Sequence, residues 1–191
     1  MQRHTLFRLL AVAAFAATYV TILLGGNVMA SDSGLACPDW PTCHGTLLPP
    51  FSGSTAIEWS HRVSALVTGL LVAAMTFVGL VSERRRPVLR GLSVCAALLV
   101  LAQAFLGGLV VETDLVVGIV LLHFLLATIL FGLLLLIAFL ANLREIPRRW
   151  AAWAERVADE EPATTTLTRL ERQGHPTGHR EPSGSPGTTP R

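Results

Sequence analysis

Glu58, His61 and Arg62 stand together in the stretch "IEWSHRVSALVTG", at the mouth of a long apolar run. Ionisable groups are costly near hydrocarbon, so their position there marks a candidate site. A carboxylate can take a proton or position water, and an imidazole can ligate a metal. A second imidazole, His123, lies within the last apolar run. If the apolar runs are helices starting from one surface, His61 sits within a turn of it and His123 about eight residues, or roughly 12 Å, along. Two imidazoles at similar depth on facing helices can fill both axial positions of one haem iron. Either ring taken alone is as readily a hydrogen-bonded structural group; the pair is what favours haem.

The neighbours of these rings read both ways. Ala65, Thr68 and Gly69 follow His61 at helical spacing, and Ala127 follows His123 by one turn. Small residues there leave room for a flat macrocycle, and they equally suit helix packing. Glu58 shares a face with His61 if the helix begins that early, as a proton acceptor or as a helix-start carboxylate favoured by the macrodipole. Arg62 has two readings: contact with a haem propionate, or snorkelling to the surface.

The stretch "GLACPDWPTCHG" carries Cys37 and Cys43. Outside the cytoplasm a disulfide closing this short loop is expected, as a structural staple or as an exposed pair exchanging with carrier thiols. Cys95 reads as a packing residue inside an apolar run. Trp40 stands where C-x-x-C-H attachment of haem needs its first cysteine, and Cys37, Cys43 and His44 lack a fourth zinc ligand. His175 and His179 are separated by helix-breaking Gly and Pro, so a helical metal pair is not expected. No phosphate loop or hydrolytic triad is present, and no nucleic-acid partner is expected.

The elements that must position these residues follow from composition. The chain has 191 residues, 51% hydrophobic, with a mean hydropathy of +0.54, which excludes an ordinary soluble domain. Residues 6–28, 59–81, 88–111 and 115–140 each exceed the roughly 20 residues needed to span hydrocarbon, and must be helical because lipid satisfies no backbone amide. The expected fold is an all-α integral membrane protein, a four-transmembrane-helix bundle over 1–143, with a disordered cytoplasmic tail over 144–191. All 15 basic residues are arginine. Nine of them flank the ends of the spans at 3–8, 84–90 and 144–149, and none lies between Val28 and Trp59, so both termini are expected to be cytoplasmic and loop 29–58 outside. The first span is too long for a signal-peptide core and is expected to be retained. "LLGGNV" at 23–28 and "FLGGLV" at 105–110 each precede an outer loop and a histidine-bearing span. That repeat predicts two related helical hairpins, although Gly-Gly also simply permits close helix packing.

"LLGGNVMASDSGLACPDWPTCHG", "IEWSHRVSALVTGLLVA", "FLGGLVV" and "LLHFLLA" together resemble the heme A synthase family over roughly residues 6–141. The resemblance implies oxidation of a methyl group of heme O to the formyl group of heme A. It implies that His61 and His123 ligate the substrate haem, that Glu58 is the catalytic carboxylate, and that Cys37 and Cys43 are the outer-loop pair. It also implies a plasma-membrane location, with heme O synthase and a terminal oxidase as partners. Family members usually have eight spans in two bundles, the second holding a b-type haem that accepts electrons. One bundle with one histidine pair therefore predicts a homo-oligomer or a separate electron-accepting partner. The alternatives are a non-catalytic b-type haem or electron-transfer protein and a membrane thiol oxidoreductase.

Overall fold

A computed structural model of the chain describes residues 2–143 together with 150, 152, 153, 155 and 156. Four helices follow one another: α1 (Gln2–Ala30), α2 (Gly53–Ser82), α3 (Pro87–Glu112) and α4 (Val117–Asn142). With 26 to 30 residues each, they are about 39–45 Å long, enough to cross a bilayer. All four are apolar enough to do so. Large apolar side chains such as Leu66, Leu70, Phe77, Leu98, Leu101 and Phe105 point outward. That is the surface of a multi-pass membrane protein.

The boundaries differ from the hydropathy windows for local reasons. Pro49 and Pro50 keep the chain out of a helix, Ser52 is extended (φ −147°, ψ 147°), and α2 then starts at Gly53, six residues before the apolar run. Glu58, His61 and Arg62 consequently share one continuous helix. Pro87 opens α3 at a position where its missing N–H costs nothing. Asp114 and Leu115 adopt positive φ (52° and 61°) in the α3–α4 turn, which delays α4 to Val117.

Each helix packs on its neighbour in chain order, and α4 closes on α1, so α2 and α4 lie diagonally across the bundle. The fully packed core is confined to one half. It comprises Phe7, Ala11 and Ala14 of α1, Val72 and Met75 of α2, Leu89 and Ala96 of α3, and five residues between Leu130 and Ala141 of α4. Gly79 admits Phe7, since a Cβ there would lie 2.8 Å from the phenyl ring. Polar contacts stitch the same end: His4 Nδ1 donates to Glu83 Oε1 at 2.6 Å, Arg8 Nε to Asn142 Oδ1 at 3.0 Å, and Arg86 to the Leu140 carbonyl at 2.6 Å. Cys95, expected to be packed, is exposed on α3.

Residues from Pro147 form a separate unit. Of the expected tail, Trp150, Ala152, Trp153, Glu155 and Arg156 are helical, with the two indole rings 5.5 Å apart. The rest of that expectation, including His175 and His179, lies outside the described residues.

Candidate bis-histidine site

Opposite the packed core, the interior of the bundle is lined by glycine, threonine and two imidazoles. His61 projects from the third turn of α2 towards α1, where its Nδ1 lies 3.1 Å from the Thr21 carbonyl. A carbonyl only accepts, so Nδ1 carries the proton and Nε2 keeps its lone pair, the tautomer a metal-ligating histidine needs. Gly25 makes this approach possible. A Cβ on Gly25 would stand 2.9 Å from His61 Cε1 and 3.3 Å from Nδ1, so any side chain would push the ring off α1. Thr21 also meets Thr68 of α2, hydroxyl to hydroxyl, at 2.9 Å.

His123 repeats the arrangement in the second hairpin. Its Cε1 lies 3.5 Å from where a Cβ of Gly107 would be. Gln103, one turn earlier on α3, donates to the His123 carbonyl at 3.1 Å. Gly107 stands in "LGGLV" where Gly25 stands in "LGGNV", so the first glycine of each repeat receives the imidazole of the following helix. The repeat serves the rings as well as helix packing. One difference separates the halves: His123 Nδ1 is buried without a hydrogen-bond partner, whereas His61 Nδ1 has its carbonyl. Of the small residues expected beside the rings, Thr68 is buried, Gly69 faces Val100 of α3, and Ala65 is exposed.

The donor set fits haem. The two imidazoles lie on diagonal helices, and the packed core stops short of their level. Among the described residues no three His, Cys, Asp or Glu side chains cluster as a bare-ion site. An axial pair needs no third protein ligand, because the macrocycle supplies the equatorial donors.

Glu58 and Arg62 are one turn apart and bind each other and the cysteine loop. Glu58 is only 3% exposed. Its Oε2 accepts the Cys37 N–H at 2.7 Å, and its Oε1 accepts from Arg62 Nη2. Arg62 Nη2 also donates to the Cys37 carbonyl at 2.8 Å, and Nη1 to the carbonyls of Asp39 and Thr42 at 2.6 Å each. A guanidinium has five N–H groups, and the four terminal ones have acceptors here. Arg62 therefore has partners other than a haem carboxylate.

The loop itself is built around Asp39, whose carboxylate accepts from His44 N–H at 2.6 Å, from Gly45 N–H at 3.0 Å and from the Thr42 hydroxyl. These bonds, the Thr42 hydroxyl foremost, hold its carboxyl below the usual carboxylate range. Cys37 and Cys43 are joined as a disulfide with Cα atoms 4.6 Å apart. Both are 0% exposed. Of the two readings left open for the pair, the exposed one does not match this burial: the loop folds its own sulfurs inward, and exchange requires the loop to open first.

Of the residues singled out in the sequence, Glu58, Arg62, Cys37 and Cys43 come together at the loop, and His61 and His123 each lie against a repeat glycine. No residue pattern marks Thr21 or Gln103, and the repeated glycine pair was the signal for the ring-admitting role of Gly25.

The sequence profile of the COX15-CtaA family, described as cytochrome oxidase assembly protein, matches residues 8–170. A heme A synthase from Exiguobacterium sibiricum is 39% identical over 126 residues, covering 63% of this chain and 41% of that protein. One from Geobacillus kaustophilus is 36% identical over 124 residues, covering 65% and 39%. A protoheme IX farnesyltransferase from Haloarcula marismortui is 35% identical over 112 residues, 58% of this chain and 23% of that protein. The chain thus spans about two fifths of the length of the heme A synthases it matches.

Proposed function

This chain belongs to the COX15-CtaA family of cytochrome oxidase assembly proteins, and from that membership we propose that it acts as a heme A synthase-type oxidoreductase, converting the methyl group of heme O to the formyl group of heme A for terminal oxidase assembly. The carrying observation is the pair of imidazoles on diagonal helices, each seated against the first glycine of a repeated motif. His61 and His123 are the residues that would hold the substrate haem by its iron. Bound there, the iron supplies the redox chemistry. The chain's own residues do the rest. Thr21 holds the His61 tautomer, Gly25 admits the His61 ring while Gly107 lies in ordinary contact with His123, and the disulfide loop roofs the site.

Turning a methyl into a formyl group takes one oxygen from water and releases four protons and four electrons. Glu58 is the proton acceptor closest in sequence to the ligand, and its carboxylate is freed when the Cys37 amide or Arg62 shifts. The electrons leave to a second haem in another copy of the chain or to a separate accepting protein, so a homo-oligomer with more than one haem is part of the proposal. The arginine distribution supports both termini being cytoplasmic, and the plasma membrane is the location that the family resemblance implies. A heme O synthase as supplier of the substrate and a terminal oxidase as recipient of the product complete the proposal.

Co-expression with a heme O source, followed by extraction and identification of the haems, tests the activity: heme A is expected. Bound but unchanged haem would instead establish the second reading, a b-type haem or electron-transfer protein, which is favoured by both Glu58 oxygens already being engaged. Mixing His61→Ala chains with wild type should lower activity more steeply than dilution; a strictly monomeric, active, single-haem protein would remove the oligomer from the proposal.

A further inference from the structure

The disulfide loop belongs to the first hairpin, yet it rests on the second. Trp40 lies over Gly108 of α3, so closely that a Cβ there would stand 2.9 Å from Trp40 Cδ2, 3.1 Å from Cε3 and 3.3 Å from Cε2. Nothing larger than glycine admits the indole in this position. A second contact accompanies it: Gly34, at the start of the loop, lies beneath Leu115 of the α3–α4 turn, with a Cβ 3.1 Å from Leu115 Cδ2. On the first hairpin the loop is held by Glu58 and Arg62 through Cys37, Asp39 and Thr42. The loop therefore bridges both hairpins above the two imidazoles. Its foothold on α3 is Gly108, adjacent to the glycine that receives His123.

The second glycines of the two repeats bear out this division of labour. Gly108 carries Trp40, whereas Gly26, its counterpart, has nothing within 4 Å. A notch required only for helix packing would give both glycines a neighbouring helix. Trp40 remains 44% exposed, so one face of the ring is docked and the other is free for withdrawal.

We propose that Trp40, seated in the Gly108 notch, is the positioning residue that latches the disulfide loop across the bundle, keeping the Cys37 amide on Glu58 and the sulfurs covered, and that release of Trp40 is the step that opens the loop. The consequence for heme A formation rests on the function proposed above; the latch itself does not.

The test uses the full haem-loaded chain in detergent and compares wild type with Trp40→Ala, Trp40→Phe, Gly108→Ala and the Trp40→Ala/Gly108→Ala double variant. The first readout is the rate at which a water-soluble phosphine reduces Cys37–Cys43, followed by mass tagging of the released thiols. Because a buried bond reacts through local opening, Trp40→Ala and Gly108→Ala should each be reduced at least about tenfold faster. Trp40→Phe should stay near wild type, and the double variant should be no faster than the faster single, since both changes remove one contact. An unchanged rate in Gly108→Ala, or rate increases that multiply in the double variant, overturns the latch. The second readout is turnover: kcat for heme A formation should fall in Trp40→Ala while the low-spin spectrum from His61 and His123 is kept, with recovery in Trp40→Phe. Faster reduction with no heme A from wild type supports the latch and defeats the function; heme A from wild type with unaltered reduction rates does the reverse.

Discussion

Replacing Gly25 by alanine tests the histidine site through its steric origin. The new Cβ would lie 2.9 Å from His61 Cε1 and 3.3 Å from Nδ1. Carbon atoms at optimal contact sit about 3.5–4.0 Å apart, so the ring must retreat by roughly 0.6–1 Å. A retreat of that size stretches the His61–Thr21 contact, now 3.1 Å, past the range of a hydrogen bond. The ring loses both its position and the partner that fixes its tautomer. Two opposing effects decide the size of the outcome. Alanine favours a helix interior over glycine by about 1 kcal/mol, whereas overpacking costs about 1–3 kcal/mol. In the haem-free protein the ring can swing aside, so thermal stability should hold or rise. With haem bound the ring has no such freedom, and affinity should fall by about 1–3 kcal/mol, roughly five- to 150-fold. Gly107→Ala places its Cβ at an ordinary 3.5 Å from His123 Cε1, and Gly26→Ala meets nothing within 4 Å, so both should bind haem as wild type does. Haem titration followed by the low-spin absorbance, with thermal midpoints of the haem-free proteins, reads the series. Wild-type affinity in Gly25→Ala would refute the assignment of Gly25 to the His61 ring, and an equal loss in Gly107→Ala or Gly26→Ala would refute the steric reasoning from these distances.

Four further outcomes are expected. His61→Ala and His123→Ala should each abolish the low-spin spectrum, because each leaves one axial position without its imidazole; unchanged spectra in both variants would exclude the pair. Glu58→Gln cannot accept from both the Cys37 amide and Arg62, since one oxygen becomes an NH2 donor, so haem should stay bound while heme A formation falls by about 10²-fold. Wild-type turnover there would leave Glu58 as a loop anchor alone. Cys37→Ser/Cys43→Ser should lower thermal stability by about 2–3 kcal/mol at most, with activity retained if the disulfide is a staple and lost in folded, haem-loaded protein if it is redox-active. Asp39 has its folded pKa held below 3.8, so its hold on the loop is complete above that value and is lost as pH falls through the lower folded pKa. Phosphine reduction of the disulfide should therefore accelerate only well into acid, and an onset near neutral pH would contradict the Asp39 bonds.

The helices were legible in sequence because hydropathy and length decide them locally. Their starts were less so. Gly53, Asp114 and Leu115 set boundaries through backbone conformation, which a window of apolar residues does not register. Of the site, His61 and His123 stood out as titratable groups in apolar runs, and Glu58 and Arg62 as charges at a helix mouth. Their partners did not. Thr21 contributes a backbone carbonyl, which every residue possesses and no sequence pattern marks. The two readings left open for Arg62 were both plausible for a guanidinium at an interface. Only the placement of the Cys37, Asp39 and Thr42 carbonyls gives it a third set of partners.

By itself the sequence determined that four apolar helices cross a membrane, that two imidazoles lie within them, and that a cysteine loop precedes the second helix, because these follow from residue type and local spacing. The tertiary structure alone decided which helices are diagonal, which glycine receives which ring, and that both sulfurs are buried. Those properties depend on backbones far apart in the chain approaching within a few ångströms. At that range a missing Cβ or an oriented carbonyl sets the geometry, and linear spacing carries no record of either.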